Sequence, residues 1–476
     1  MKPAESRPPS AYPGNPQSWQ QLLARPERAL ILVLLGLWLW AALSPGFHLR
    51  QVKDSLSYLK AAELSGWVPV LSSVRTLGYP LLLRGLQHLS PNLAVLPLLQ
   101  LALLLAAILV YRHALARCGL APWLTVAAAL PLALGPMGWR FPQLLLAESV
   151  AVSCALLAMS CLLALVAGAR DAGWWLGLAG ATFWCYQTRP AFLFLVAWVP
   201  VAGLALRWQL EGRGSGWLRR RSFGLGLAAA SVLPFLLFCT LRWAVVGHFG
   251  LVSFGGFNTI GIAAPLLEPS LVAELPPARR PLAAAIIDRQ RAEGVEPLAQ
   301  LAGHSWWQRL RHWQDTYNPN IWRVAVPAGE QLLGSAEGER NEVALNRDLA
   351  ALAAAVLARR PGAYLQWIAF NLAWGVAYTT LRLLWLPLLA LALAAGWSWS
   401  RRPAGGWRPA LRELPWRQLL LPLHLAGSFF LAGLLLVVLV EPAEERYLIQ
   451  LSFLAAGALV VPLVSLLGQA AQPRKA

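Results

Sequence analysis

Residues 144–167 read LLLAESVAVSCALLAMSCLLALVA, and residues 418–440 read QLLLPLHLAGSFFLAGLLLVVLV. Neither stretch alternates in polarity. Each is long enough, as a helix rising about 1.5 Å per residue, to match a hydrocarbon core about 30 Å thick. Lipid offers no partners for backbone N–H and C=O groups, so a spanning segment satisfies them within a helix or a closed barrel. Barrel strands would alternate apolar and polar residues, which excludes that solution. Working outward, similar runs fall near 28–46, 92–111, 120–138, 174–188, 190–206, 224–246, 380–399 and 447–468. The pattern predicts an all-α polytopic membrane protein with about ten transmembrane helices and a mixed extramembrane loop region on the outer face.

The rest of the composition agrees. Of 476 residues, 57% are hydrophobic and 13% charged. A soluble domain of that length cannot bury so much apolar surface. The net charge is +18, nearly all from Arg. No aromatic-basic signature accompanies it, so nucleic acid is not an expected partner. The basic residues gather between apolar runs: Arg112 and Arg117; Arg207 to Arg221, with Arg213, Arg219 and Arg220; Arg401 to Arg417, with Arg402, Arg408 and Arg412; and Arg474 and Lys475 at the end. The positive-inside rule makes these cytoplasmic. Arg-rich, Lys-poor usage points to a GC-rich bacterial genome, and hence to a multi-pass protein of the bacterial inner membrane. The five cysteines are scattered without a C-x-x-C pair, which supports neither a disulfide frame nor a zinc site.

Four regions follow from this topology. Residues 1–27 form a cytoplasmic tail, read as uncleaved because its n-region is long and no A-x-A site follows. Residues 28–246 form an N-terminal membrane domain with a first outer loop at 47–91. Residues 247–379 form a large outer, periplasmic region, and 380–476 a C-terminal membrane domain. In the large region, Pro265, Pro269, Pro276 and Pro277 punctuate the chain, Asn341 to Arg359 has helical spacing, and Pro361 to Tyr378 reads as an interfacial helix with Trp367 and Trp374 at headgroup level.

The first outer loop breaks the charge pattern. It holds Arg50, Lys53, Lys60, Arg75 and Arg84 against only Asp54 and Glu63. Outer basic residues suit an anionic headgroup or phosphate; the plainer reading is pairing with those acids or bulk lipid. If 54–62 is helical, Asp54, Tyr58 and Ala61/Ala62 share a face. Arg75-Thr-Leu-Gly-Tyr79-Pro80 follows. Glu148 opens the span at 144–167, Thr188-Arg189-Pro190 forms a hairpin tip, and Glu444-Glu-Arg446-Tyr447 occupies the last outer turn. Glu148 and Arg189 either serve a site or pair to hold helices together.

The D-x-x-x-Y-x-x-A run after the first span, followed by R-x-x-G-Y-P before the second, resembles the GT-C superfamily. These are polyprenyl-phosphate-sugar-dependent membrane glycosyltransferases, including protein mannosyltransferase and aminoarabinose transferase branches. Glu148, Thr188-Arg189-Pro190 and Glu444-Glu-Arg446-Tyr447 fit the same layout over most of the chain. The resemblance implies an inverting enzyme that moves a sugar from a polyprenyl-phosphate donor to a lipid, glycan or protein acceptor at the outer face. It makes Asp54 the base, with Glu148 as a second catalytic acid. A lipid phosphate leaving group needs Arg or a metal for its developing charge. Arg75, Arg189 and Arg446 are the candidates, because Arg grips phosphate through paired hydrogen bonds.

Two further motifs stand out in the large region, Ser253-Phe-Gly-Gly-Phe-Asn258 and Tyr317-Asn318-Pro-Asn-Ile-Trp322. Aromatic rings stack on sugar C–H faces and amides meet hydroxyls, so Tyr58, Tyr79, Asn258 and Asn318 are candidate substrate contacts. The plainer reading of both motifs is a turn plus small-core packing. His304 and His312 lack metal-site spacing. One Asp with a scattered Glu is too few ligands to assign a divalent metal, so cofactor use stays open. Two rivals remain: a polysaccharide polymerase or ligase using a polyprenyl-diphosphate glycan, which would lean on Arg and His in the large region, and a transporter, which would carry midplane charges and inverted repeats that the sequence lacks.

Overall fold

The computed structural model describes residues 26–211, 217–333, 341–400 and 415–470. The N-terminal tail to Arg25, Arg213, Arg401, Arg402, Arg408, Arg412 and the basic C-terminus lie outside the described residues, as does the side chain of Arg219. Every regular element among those described is helical. The one strand-like pairing is an isolated bridge between Arg50 and Leu144.

The principal helices, in chain order, are α1 (Pro26–Leu43), α2 (Ser55–Glu63), α3 (Gly78–Leu89), α4 (Leu96–Arg117), α5 (Pro122–Leu134), α6 (Glu148–Val166), α7 (Ala172–Thr188), α8 (Leu195–Glu211) and α9 (Trp217–Val246). There follow α10 (Gly255–Ala263), α11 (Arg280–Glu293), α12 (Trp306–Pro319), α13 (Glu342–Arg359), α14 (Pro361–Tyr378), α15 (Trp385–Ser400), α16 (Leu421–Val440), α17 (Glu445–Ser452) and α18 (Ala455–Ala470).

Helix α6 is the hub. Of its apolar window, 89% is buried inside the protein, against 17% for α1, so α6 sits at the bundle centre and α1 at its edge. The small residues Ser149, Ala151, Ser153, Ala155, Ala158 and Ser160 explain this, because they let neighbouring backbones approach closely. Helices α4 and α7 pack along α6, α8 packs on α9, and α5 on α18. On the outside, Ile31, Leu32 and Leu35 of α1, Leu233, Leu237 and Leu241 of α9 and Leu386, Leu389 and Leu393 of α15 are exposed. Large apolar side chains left exposed along long apolar helices suit the lipid-facing surface of a membrane protein.

Among the described residues, six to eight candidate spans stand against the ten expected. Six are long and apolar enough: Pro26–Leu43, Leu96–Arg117, Glu148–Val166, Pro190–Glu211, Arg220–Val246 and Trp416–Val440. The number reaches eight if two bent pairs each count as one span. Pro361–Leu383 meets Trp385–Gly396 at 68°, and Glu445–Ser452 meets Ala455–Ser465 at 43°. The expected spans at 120–138 and 174–188 became α5, with 13 residues, and α7, with 17. They pack on α4 and α6 respectively, and both also leave apolar side chains exposed, Trp123 and Leu134 on α5 and Leu176 on α7. The expected interfacial helix at 361–378 is instead the first limb of a bent pair, and Trp367 is fully buried rather than at a surface.

The region 247–378 has its own core. Phe257, Ile260, Leu282, Ile286, Leu310, Trp313, Leu345, Leu349 and Trp367 form one cluster separate from the bundle core. None of its helices before Pro361 is a candidate span. Local signals start these helices as the sequence suggests. Ser305 and Gln308 form a reciprocal capping box ahead of α12, and Asn341 caps α13 by accepting from the Ala344 amide at 3.0 Å. Helix α10 lies against α13 through Gly256, whose amide donates to Asn346 Oδ1 at 2.7 Å.

A Cβ on Gly256 would overlap the Asn346 carbonyl, whereas one on the neighbouring Gly255 would meet nothing within 4 Å. Gly256→Ala is therefore expected to destabilise the detergent-solubilised protein by about 1–3 kcal/mol, as overpacking does. Gly255→Ala is expected to change it by no more than about 0.5 kcal/mol. Thermal melts of the two variants check this; equal losses would mean that the α10–α13 contact is not close-packed.

Candidate functional site

Four chain segments distant in sequence meet at one end of the bundle. The first is the loop between α1 and α3. The Arg50 amide donates to Gln143 O at 2.7 Å and the Leu145 amide to Arg50 O at 3.0 Å, which docks the loop on the segment leading into α6. Ser55 Oγ adds a bond to Leu145 O at 2.9 Å. Helix α2 then starts with Asp54 at its N-cap position, and Tyr58, Ala61 and Ala62 form its buried face, as the sequence spacing predicts.

The second segment is the end of α7. Gly78 permits its contact with the loop, because a Cβ there would lie 2.7 Å from Gln187 O. Thr76 Oγ1 donates to Thr188 O at 3.3 Å in the same contact. The R-x-x-G-Y-P and T-R-P motifs are thus packed backbone to backbone, with Arg75 and Arg189 on one wall. The third segment is the turn between α16 and α17, carrying Glu441, Glu444 and Arg446. The fourth is the region of α10 and α12, which supplies Phe254, Asn258, Tyr317, Asn318 and Trp322.

Between them lies a cavity of about 350 Å³, lined by Asp54, Tyr58, Arg75, Arg189, Asn258, Asn318 and Arg446 of the expected residues. Its polar side is a chain of ion pairs. Arg446 Nη1 lies 2.6 Å from Asp54 Oδ2, and Arg446 Nε lies 3.2 Å from Glu444 Oε2. Arg75 Nη2 lies 3.5 Å from Asp54 Oδ1, and its Nε donates to Ser57 Oγ at 2.9 Å. The guanidinium of Arg75 covers the Tyr58 ring at 4.5 Å. Those of Arg189 and Arg446 cover the Tyr447 ring at 4.9 and 5.0 Å. Such cation–π contacts add about 0.5–2 kcal/mol and hold planar forks in register.

Apolar residues form the other side. Leu193, Leu436, Val437 and Val440 come from the ends of the bundle helices. Phe254, Phe257 and Trp322 stack at 5.6–6.1 Å between ring centroids, and Phe254 and Trp322 reach the cavity. The cavity thus offers cations, an aromatic wall and an apolar flank together.

Two expected contacts do not reach it. Tyr79 is fully buried and packs edge-on against Tyr58 at 5.1 Å, so it backs the cavity wall and meets no ligand. Glu148 is also fully buried. Its carboxylate lies 2.5 Å from Arg189 Nη1, in an ion pair without good hydrogen-bond geometry. Glu148 therefore orients Arg189 and does not face the cavity. Removing one partner of such a buried pair costs about 3–5 kcal/mol.

The two asparagines reach the cavity and also tie the α16–α17 turn. Asn258 Nδ2 donates to Glu441 Oε1 at 2.6 Å, and Asn318 Nδ2 to Glu444 Oε1 at 3.4 Å. Glu441, which sequence reasoning did not single out, lines the same cavity. A signal existed: an acid directly after an apolar run of 23 residues.

Two of the three cavity carboxylates, Asp54 and Glu441, differ electrically. Burial pushes Asp54 up, but Arg446 and Arg75 outweigh it and hold its pKa below the ordinary 3.8. Burial of Glu441 pushes its pKa above the ordinary 4.5, and the opposing pull of Tyr447, Arg446 and Arg189 does not cancel it. Among the described residues no group of three His, Cys, Asp or Glu side chains could hold a metal ion. His312 Nε2 bonds Glu296 O at 2.9 Å on the surface, and neither it nor His304 lines the cavity. No protein-family model, curated protein or solved structure matches the chain.

The pKa of Asp54 fixes the sign of one pH effect. A carboxyl held low in the fold contributes stability above its unfolded value of 3.8 and loses it as pH falls through the folded value. Wild type is expected to melt above Asp54→Asn at neutral pH, with the gap closing only at a pH below about 3.8. Melts of both proteins in acid and at neutral pH check this; a gap independent of pH would show that the Asp54 charge is not what holds Arg75 and Arg446.

Proposed function

We propose that the chain is a membrane glycosyltransferase that moves a sugar from a polyprenyl-phosphate donor to an acceptor hydroxyl, on the side of the membrane opposite its basic loops. The observation that carries this reading is the convergence of Arg75, Arg189 and Arg446 on one cavity whose flank is apolar and continuous with the bundle helices. A ligand that suits it has an anionic head, a group that stacks on rings, and a hydrocarbon tail. A polyprenyl-phosphate sugar has all three.

Each part of the cavity has a task in that reaction. Arg446 and Arg189 hold the phosphate, and they stabilise the charge that grows on its oxygen as the bond to the anomeric carbon breaks. Trp322 and Phe254 stack on the sugar, and Asn318 meets a hydroxyl. Leu193, Leu436 and Val437 take the first isoprene units. A cavity carboxylate accepts the acceptor's proton while the acceptor oxygen attacks from the face opposite the phosphate, which inverts the anomeric carbon. The family resemblance gives that proton to Asp54.

Orientation rests on charge. Arg112, Arg117, Arg207 and Arg417 lie towards the helix ends remote from the cavity. The positive-inside rule places those ends in the cytoplasm, and so the cavity at the outer, periplasmic face of a bacterial inner membrane. The polymerase or ligase alternative is less well supported, because His304 and His312 stand outside the cavity.

The test is sugar transfer by purified protein in liposomes, with a panel of polyprenyl-phosphate sugars as donors. Wild type is expected to consume at least one donor. Arg446→Gln and Arg189→Gln are each expected to lose roughly 100- to 1,000-fold in kcat, the magnitude seen when one donor to a developing oxyanion is removed. Consumption of a diphosphate-linked glycan and of no monophosphate donor would overturn the reading.

A further inference from the structure

A general base needs a lone pair free for the incoming proton and a basicity that suits the pH at which it works. Asp54 has neither. Both its oxygens are taken up by guanidinium groups, Oδ2 by Arg446 at 2.6 Å and Oδ1 by Arg75 at 3.5 Å. Those same cations hold it firmly ionised. A carboxylate so placed is a good anchor for arginines and a poor acceptor of protons.

Glu441 stands differently. It follows the last residue of α16 and lines the cavity beside Tyr447 and Arg446. It takes part in no ion pair among the described residues. Its bonds come from neutral donors, the Asn258 amide on Oε1 at 2.6 Å and the Tyr447 hydroxyl, and a carboxylate has about four acceptor positions, so room remains for a proton. The charged and titratable groups that face it are Arg189 from the end of α7, Arg446, Glu444 and Tyr447 from its own turn and α17, and Tyr317 from α12. Their sum leaves burial dominant, and its pKa is raised.

Accepting the glycosyltransferase reading above, we propose that Glu441, and not Asp54, takes the proton from the acceptor hydroxyl. Asp54 is then the positioning carboxylate that spreads Arg75 and Arg446 for the donor phosphate. In the step, the acceptor O–H proton passes to an open acceptor position on the Glu441 carboxylate. The acceptor oxygen forms its bond to the anomeric carbon. The bond from that carbon to the phosphate oxygen breaks, and its electron pair stays on the phosphate, facing Arg189 and Arg446. The neutral Glu441 then returns its proton to water as the lipid phosphate leaves.

The experiment is the pH dependence of kcat at saturating donor, in liposomes, for wild type, Glu441→Gln, Glu441→Asp and Asp54→Asn. Wild type is expected to lose activity on an acid limb set by a group above 4.5, the ordinary value for Glu. Glu441→Gln should lose roughly 100- to 10,000-fold in kcat with little change in donor KM, the range typical of losing a general base. Glu441→Asp should recover part of the rate with its acid limb displaced, which a purely structural role would not do. Asp54→Asn should raise donor KM while keeping the wild-type limb. Wild-type kcat and limb in Glu441→Gln, or loss of kcat at unchanged donor KM in Asp54→Asn, would overturn this assignment while leaving the glycosyltransferase reading intact. A wild type inert toward every donor overturns both.

Discussion

The last three carbonyls of helix α16 have no partner within the helix, and they lie where solvent is scarce. Each is met by an aromatic side chain from the region packed against it. Trp367 Nε1 donates to Val438 O at 2.9 Å, Tyr364 Oη to Leu439 O at 2.8 Å, and Tyr317 Oη to Val440 O at 2.9 Å. Asn371 Oδ1 then accepts from the Ala443 amide at 3.0 Å. A helix end buried without such partners would cost about 1–3 kcal/mol for each orphaned group. These four bonds fix the turn that begins at Glu441, and with it the direction of Glu441, Glu444 and Arg446. The region 247–378 thus acts as a clamp on a helix end as well as a wall of the cavity.

The charges of the site depend on that clamp. Arg446 reaches Asp54 across 392 positions of sequence, and it does so only because the turn holds it beside α2. Arg189 is held from the other direction by Glu148 at the start of α6. A cluster of cations in a partly desolvated place is costly unless each has an acid nearby. Here Asp54, Glu148 and Glu444 supply them. The protein thereby gathers three guanidinium groups around one cavity, and it leaves Glu441 as the cavity acid outside that network of pairs.

The helical class was legible because apolar runs long enough to span a bilayer leave no other solution. The number of spans was less legible, because α5 and α7 are short for a bilayer crossing and composition does not distinguish a protein neighbour from lipid. Asp54, Arg75, Arg189 and Arg446 were legible because charges at the ends of apolar runs stand out. Tyr79 and Glu148 were placed on the correct segments but one layer too close to the cavity. Helical spacing tells which residues share a face, and not whether Tyr58 or Arg189 stands between that face and the open space. Glu441 was hidden among Glu444 and Glu445, three acids in one turn that read alike until the fold turns Glu441 and Glu444 to the cavity and leaves Glu445 outside it.

Gly78 has a mechanical consequence. Its contact with the backbone at Gln187 makes the first loop and the end of α7 a single stiff body, since neither can slide without steric overlap. Arg75 and Arg189 then keep a fixed separation, like two posts set in one block. The α16–α17 turn is the opposite jaw, and Arg446 is the only arginine of the three that it carries. Any change in the width of the cavity therefore changes the distance from Arg446 to the other two, and with it the pair that Arg446 makes with Asp54.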